Sequence, residues 1–125
     1  MNAERLAAIN EVLGVYRENL IDVEAEIRRT NGLLMDCNYV LGFNIIDENP
    51  QLGLFIRPGV GVDRIAVGGI VGAMRMNLAE AERLAPEIRN GNDENPIPVR
   101  YRPALIAYRE EAAARIAELE AMLAE

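Results

Sequence analysis

The large apolar residues at the start of the chain fall in a 3,4 rhythm: Leu6, Ile9, Leu13, Tyr16, Leu20, Val23, Ile27, Thr30 and Leu34. Such a heptad seam is the mark of a coiled-coil or bundle helix. It predicts one long helix over residues 1–32. Asn2 stands where a cap belongs, and Gly32 stands where a helix ends on a left-handed residue. Arg28 and Arg29 place positive charge in the last turn, where the helix dipole favours it. Gly14 is the weak point, at about 1 kcal/mol against alanine. Val12, Val15 and Ile21 lie outside the strict seam and widen the apolar face. A face that wide needs more than one neighbour. The helix is therefore expected to pack on its own chain and on a second body.

The rhythm changes in residues 33–76, which predict strands. Tyr39 to Ile46 carries aromatic and β-branched residues with no charge, and Asp47-Glu48-Asn49-Pro50 follows as a turn. Leu52 to Arg57 reads as the returning strand of a hairpin, ended by Pro58-Gly59. Residues 63–76 predict a third strand, with glycines that mark a bulge or close backbone approach.

Residues 77–91 return to helical spacing through Leu78, Ala81, Leu84, Ala85 and Ile88. Asn77 and Glu80 form a loose capping box, Pro86 interrupts the regular part, and Asn90-Gly91 stops it. Residues 96–102 contain Pro96 and Pro98, so they are expected at a sheet edge. Pro103 opens a last helix over residues 103–125, with a stripe of Leu105, Tyr108, Ala112, Ile116, Leu119 and Leu123. On its outer side Glu111 and Arg115 are spaced as an ion pair. The predicted fold class is α+β in a single domain, residues 1–125. Long terminal helices form a pair or bundle around a small, mostly antiparallel sheet with one additional helix. No internal repeat or linker interrupts this order.

Composition narrows the chemistry. The 125 residues include no Lys, His, Ser or Trp, and Thr30 is the one threonine. A Ser-His-Asp triad, a Cys-His dyad, a Schiff-base lysine and a P-loop lysine are all excluded within the chain. Cys37 is alone, which excludes an intrachain disulfide and a multi-cysteine zinc site. It is expected to be a small buried hydrophobe at the start of a strand, with an intermolecular disulfide or a reactive thiol as the alternatives. The net charge is −7, so nucleic acid and anionic membrane are poor partners. The run Ile65 to Met74 is about half the length that spans a bilayer. Its Gly68 and Gly72 have the spacing of a membrane dimer motif, but on a segment too short for that mechanism. The N-terminus starts straight into an amphipathic helix rather than a signal peptide, and the expected location is the cytoplasm, or a virion for a virus-encoded chain.

Candidate sites follow from charge and spacing. Gly59-Val-Gly61 lacks the third glycine of a dinucleotide loop, whose place Arg64 occupies. Residues 92–95 lack the glycine of a calcium loop. Asp36, Asp47, Glu48 and Asp63 are carboxylates near the predicted sheet, explained by turn and surface roles. Arg57, Arg64, Arg75, Arg100 and Arg102 are read either as scattered solvated charges, the plainer account, or as an arginine face on an acidic body, suited to carboxylate or phosphate on a partner. Tyr16 and Tyr108 are expected in the core with their hydroxyls at its edge.

No catalytic, cofactor or metal residues are assigned. The heptad is the leading signal, and Leu6, Ile9, Val12, Leu13, Tyr16, Leu20, Val23 and Ile27 are its expected oligomer or partner interface. A helix buried in a monomeric bundle is the competing explanation. The sequence thus points to a non-enzymatic structural or assembly protein that homo-oligomerises or docks into a larger symmetric assembly, such as a virion. A small regulatory protein-binding module and an enzyme with an intersubunit Asp/Arg site are the alternatives.

Overall fold

The structure, a computed structural model, describes residues 2–32, 37–43, 54–59 and 65–125. In chain order its elements are α1 (Ala3–Arg29), β1 (Tyr39–Gly42), β2 (Phe55–Pro58), β3 (Ile65–Gly68), α2 (Leu78–Leu84), β4 (Ile97–Arg100) and α3 (Tyr101–Ala124). The predicted strand portions within 44–53, the connector at 60–64 and the expected site residue Arg64 lie outside the described residues. So do Leu34, Asp36, Asp47, Glu48 and Asp63.

The helix ends obey local chemistry. Asn2 Oδ1 accepts the Arg5 amide at 2.8 Å, and Asn77 Oδ1 accepts the Glu80 amide at 2.8 Å. Each satisfies one of the first-turn amides that have no partner inside the helix. Gly32 has φ +74°, the left-handed value that favours glycine after a helix. After α2 the chain tightens into a 3-10 turn at Ala85–Glu87, with Pro86 inside it. The last helix begins at Tyr101, before Pro103. Proline costs little there, because first-turn amides have no carbonyl to reach.

The four strands form one antiparallel sheet in the order β3-β2-β1-β4. Tyr39 faces Arg100 and Val40 faces Val99, so β1 pairs with a strand far away in sequence. Proline-bearing β4 lies at an edge, as its composition requires. The expected third strand is shorter than its apolar run. It ends at Gly68, turns through Gly72 at φ +92°, and comes back beside β2 and then β1. There the Met74 amide donates to Ile56 O at 2.9 Å, and Met76 bridges to Tyr39. The glycines break the strand rather than bulge it.

Both faces of the sheet are covered over β2, β1 and β4, while Ile65 and Val67 of β3 stay exposed. Val40, Phe55 and Val99 pack with Val23, Ile27, Tyr101 and Leu105 under the α1–α3 pair. Leu41 and Ile56, one residue on, pack with Ala81, Ala85 and Ile88 on the opposite side. The alternation follows from the period of two along a strand. The long helices are antiparallel, since the start of α3 meets the end of α1. Tyr101 Oη donates to Glu26 Oε1 at 2.8 Å, while Arg17 reaches Glu120 at 3.0 Å near the other end. Beyond the sheet these helices form an arm whose core, among the described residues, is Ile9, Leu13 and Leu119, with no strand residue in it. Among the described residues, no helix is long and apolar enough to cross a membrane.

Some expectations are corrected. Cys37 is exposed, because it precedes β1 instead of lying on it. Arg115 pairs with Glu118 at 2.7 Å, in the i,i+3 direction, and not with Glu111.

Candidate functional site

A cleft of about 450 Å³ opens between the helical pair and the β2–β3 end of the sheet. Asn19, Asp22 and Val23 line it from α1, and Tyr108 from α3. Spacings of three and four bring the α1 residues onto one side of the helix. Arg57 enters from β2, and Gly69, Ile70 and Val71 close the cleft from the turn after β3. Arg57 is two residues past buried Phe55, so it shares the sheet face turned to the helices.

Two glycines make room for the arginine. A Cβ at Gly68 would sit 2.9 Å from Arg57 Cδ, and one at Gly72 would sit 2.5 Å from Nη2. The guanidinium therefore lies against bare backbone. Among the described residues it makes no hydrogen bond or ion pair, and Asp22 in the same lining does not pair with it. Tyr108 Oη accepts from Asn19 Nδ2 at 3.3 Å. Burial is the main cause that raises the Tyr108 phenol above its ordinary range, so it stays protonated at neutral pH. Its own hydrogen remains available to a ligand. Sequence spacing could not reveal this cleft, whose described walls come from four separate segments.

A second polar cluster sits where the helices meet the sheet. Glu26 receives Arg29 Nε at 2.9 Å and the Tyr101 hydroxyl at 2.8 Å. The Arg29 bond is the chief reason its carboxyl titrates below the ordinary 4.5; burial opposes this and the Tyr101 bond assists it. Tyr101 is pushed well above the usual phenol range, first by burial and then by Glu26. Arg75 lies over the Tyr101 ring, 5.4 Å from its centre.

The expected arginine face is therefore dispersed. Arg57 enters the cleft, and Arg75 stacks on Tyr101. Arg102 turns inward: Nη1 donates to Ile27 O at 2.8 Å and to Thr30 Oγ1 at 2.9 Å. It closes the end of α1 and is not free for a partner. Arg100 alone of these four is an exposed side chain without such a role.

The expected heptad interface also divides. Ile9, Leu13, Val23 and Ile27 are buried within the chain, which removes them from any interface. Tyr16 and Leu20 are half-buried against the same cores. Leu6 and Val12 stay 43% exposed, and beside them Val15 is 54% and Ile21 65% exposed. Among the described residues, no group of three or more His, Cys, Asp or Glu is placed to hold a metal ion. Compared with known proteins, the chain matches no family model, no curated protein and no solved structure.

Proposed function

We propose that this protein is a non-enzymatic assembly subunit that associates with copies of itself through the flanks of α1. One observation carries the reading. After α3 has filled the centre of the apolar face, Leu6, Val12, Val15 and Ile21 remain exposed on either side of it. Val12 and Val15 continue toward Asn19 and Asp22 in one 3,4,3 stripe. Leu6 and Ile21 belong to the opposite flank, with Gly14 and Arg17 between them. Large apolar residues on both flanks of one helix suit a bundle of more than two helices. On the arm, among the described residues, the core is built from α1 and α3 alone. A symmetric particle, of which a virion is one kind, is the setting this reading fits.

Light scattering on the purified chain tests it. Wild type should show a mass above that of one chain, and Val12→Asp with Val15→Asp should reduce it. Both positions are exposed, so the variant should retain its circular dichroism spectrum and unfolding midpoint. A wild type that stays monomeric at the highest attainable concentration would refute self-association. Substituting Leu13 would not serve here, because it removes the arm's own core.

A further inference from the structure

We propose that the cleft between α1, α3, β2 and the turn after β3 binds a small zwitterion of the apolar α-amino-acid class. Its carboxylate would lie on Arg57 and its ammonium on Asp22. The two charges line one cavity without neutralising each other. Arg57 is half-buried, and its guanidinium lies against the bare backbone of Gly68 and Gly72. A half-buried cation with no ion pair among the described residues favours an anion, and the planar guanidinium fork matches a carboxylate in shape.

Asp22 decides which anion. A second negative group in the lining opposes phosphate and other multiply charged ligands, and the net charge of −7 repels them at long range. Neither effect penalises a zwitterion, whose ammonium Asp22 attracts. The Tyr108 hydroxyl accepts from Asn19 and keeps its hydrogen to give. Val23, Ile70 and Val71 provide apolar wall for a hydrocarbon side chain. A volume of about 450 Å³ falls within the usual range for small-molecule sites.

Calorimetric titration of the full chain tests the inference. The probes are leucine, valine and phenylalanine, then 4-methylpentanoate, which is leucine without its ammonium, and 3-methylbutylamine, which lacks the carboxylate. Inorganic phosphate is the final probe. At least one amino acid should bind, and for leucine both truncated analogues should bind about tenfold or more weakly, the scale of one lost charged contact. Arg57→Met should abolish amino-acid binding. Asp22→Asn, a change at an exposed position, should weaken leucine by about tenfold and bring it level with 4-methylpentanoate. Circular dichroism checks that each variant is folded, and the Asp22 variant keeps the test decisive if the Arg57 variant is not. The proposal is overturned if no amino acid binds at about 10 mM. It is equally overturned if phosphate binds more tightly than all of them, or if Asp22→Asn leaves the preference for leucine over its carboxylate unchanged. These readouts are independent of the mass measurement, so this site and self-association stand or fall separately.

Discussion

Replacing Arg102 with methionine should destabilise the folded chain without touching any external partner. The side chain closes the C-terminus of α1 from the first turn of α3. Nη1 donates to Ile27 O at 2.8 Å and Thr30 Oγ1 at 2.9 Å, and Nη2 reaches Asn31 Oδ1 at 3.3 Å. Ile27 O is among the last carbonyls of the helix, which have no amide ahead of them. Hydrogen bonds from a charged donor contribute about 1.5–3 kcal/mol, and a cation at a helix C-terminus about 0.3–1 kcal/mol. The site is only partly buried, and Thr30 Oγ1 keeps its bond to Glu26 O at 2.8 Å. We therefore expect a loss of about 2 kcal/mol, near the lower end of the sum. Methionine retains most of the aliphatic stem, so little packing is lost with the charge. Urea unfolding followed by circular dichroism reads the effect. With a slope of about 1–2 kcal/mol per molar, the midpoint should fall by about 1–2 M at unchanged slope. Arg100→Met is the control. Arg100 is exposed and its side chain makes no cap bond, so its midpoint should stay within about 0.5 kcal/mol of wild type. If the two variants behave alike, Arg102 does not close α1 as described.

Leu13 is 1% exposed and joins Ile9 and Leu119 in the core of the arm, so Leu13→Ala should cost about 2–4 kcal/mol in the same assay. A loss below about 1 kcal/mol would mean the arm collapses readily around the missing atoms. Glu26 titrates below its ordinary 4.5 in the folded chain, chiefly through Arg29. A depressed carboxyl stabilises the fold above the unfolded value and loses that contribution as pH falls through the folded value. Wild type should therefore lose stability faster than Glu26→Gln below about pH 4.5, and parallel acid curves for the two would contradict the Glu26–Arg29–Tyr101 arrangement.

Much of the architecture could be read along the chain. The long helices, the strands between them, the cap residues Asn2 and Asn77, and the edge position of the proline-bearing strand all follow from short-range rules. A cap involves residues three apart, and an amphipathic stripe involves residues three and four apart. Such signals survive without knowledge of distant partners. The candidate site was legible only in its ingredients. Arg57 and Tyr108 stood out by type, while Asn19 and Asp22 carried no motif.

What the sequence by itself determined is where the helices begin, which face of α1 is apolar, and which common catalytic devices the chain cannot build. Tertiary structure alone decided how that face is used. The same leucine and isoleucine pattern serves a partner helix from another chain or from this one, and α3 claims Ile9 and Leu13 only because the sheet brings the two ends of the chain together. The pairing of Tyr39 with Arg100 illustrates the reason. Closing so long a loop is governed by packing over the whole fold, not by the residues on either side. That closure turns Arg102 from a candidate partner residue into the end of α1, and it leaves Val12, Val15, Leu6 and Ile21 on the flanks of the helix that organises the molecule.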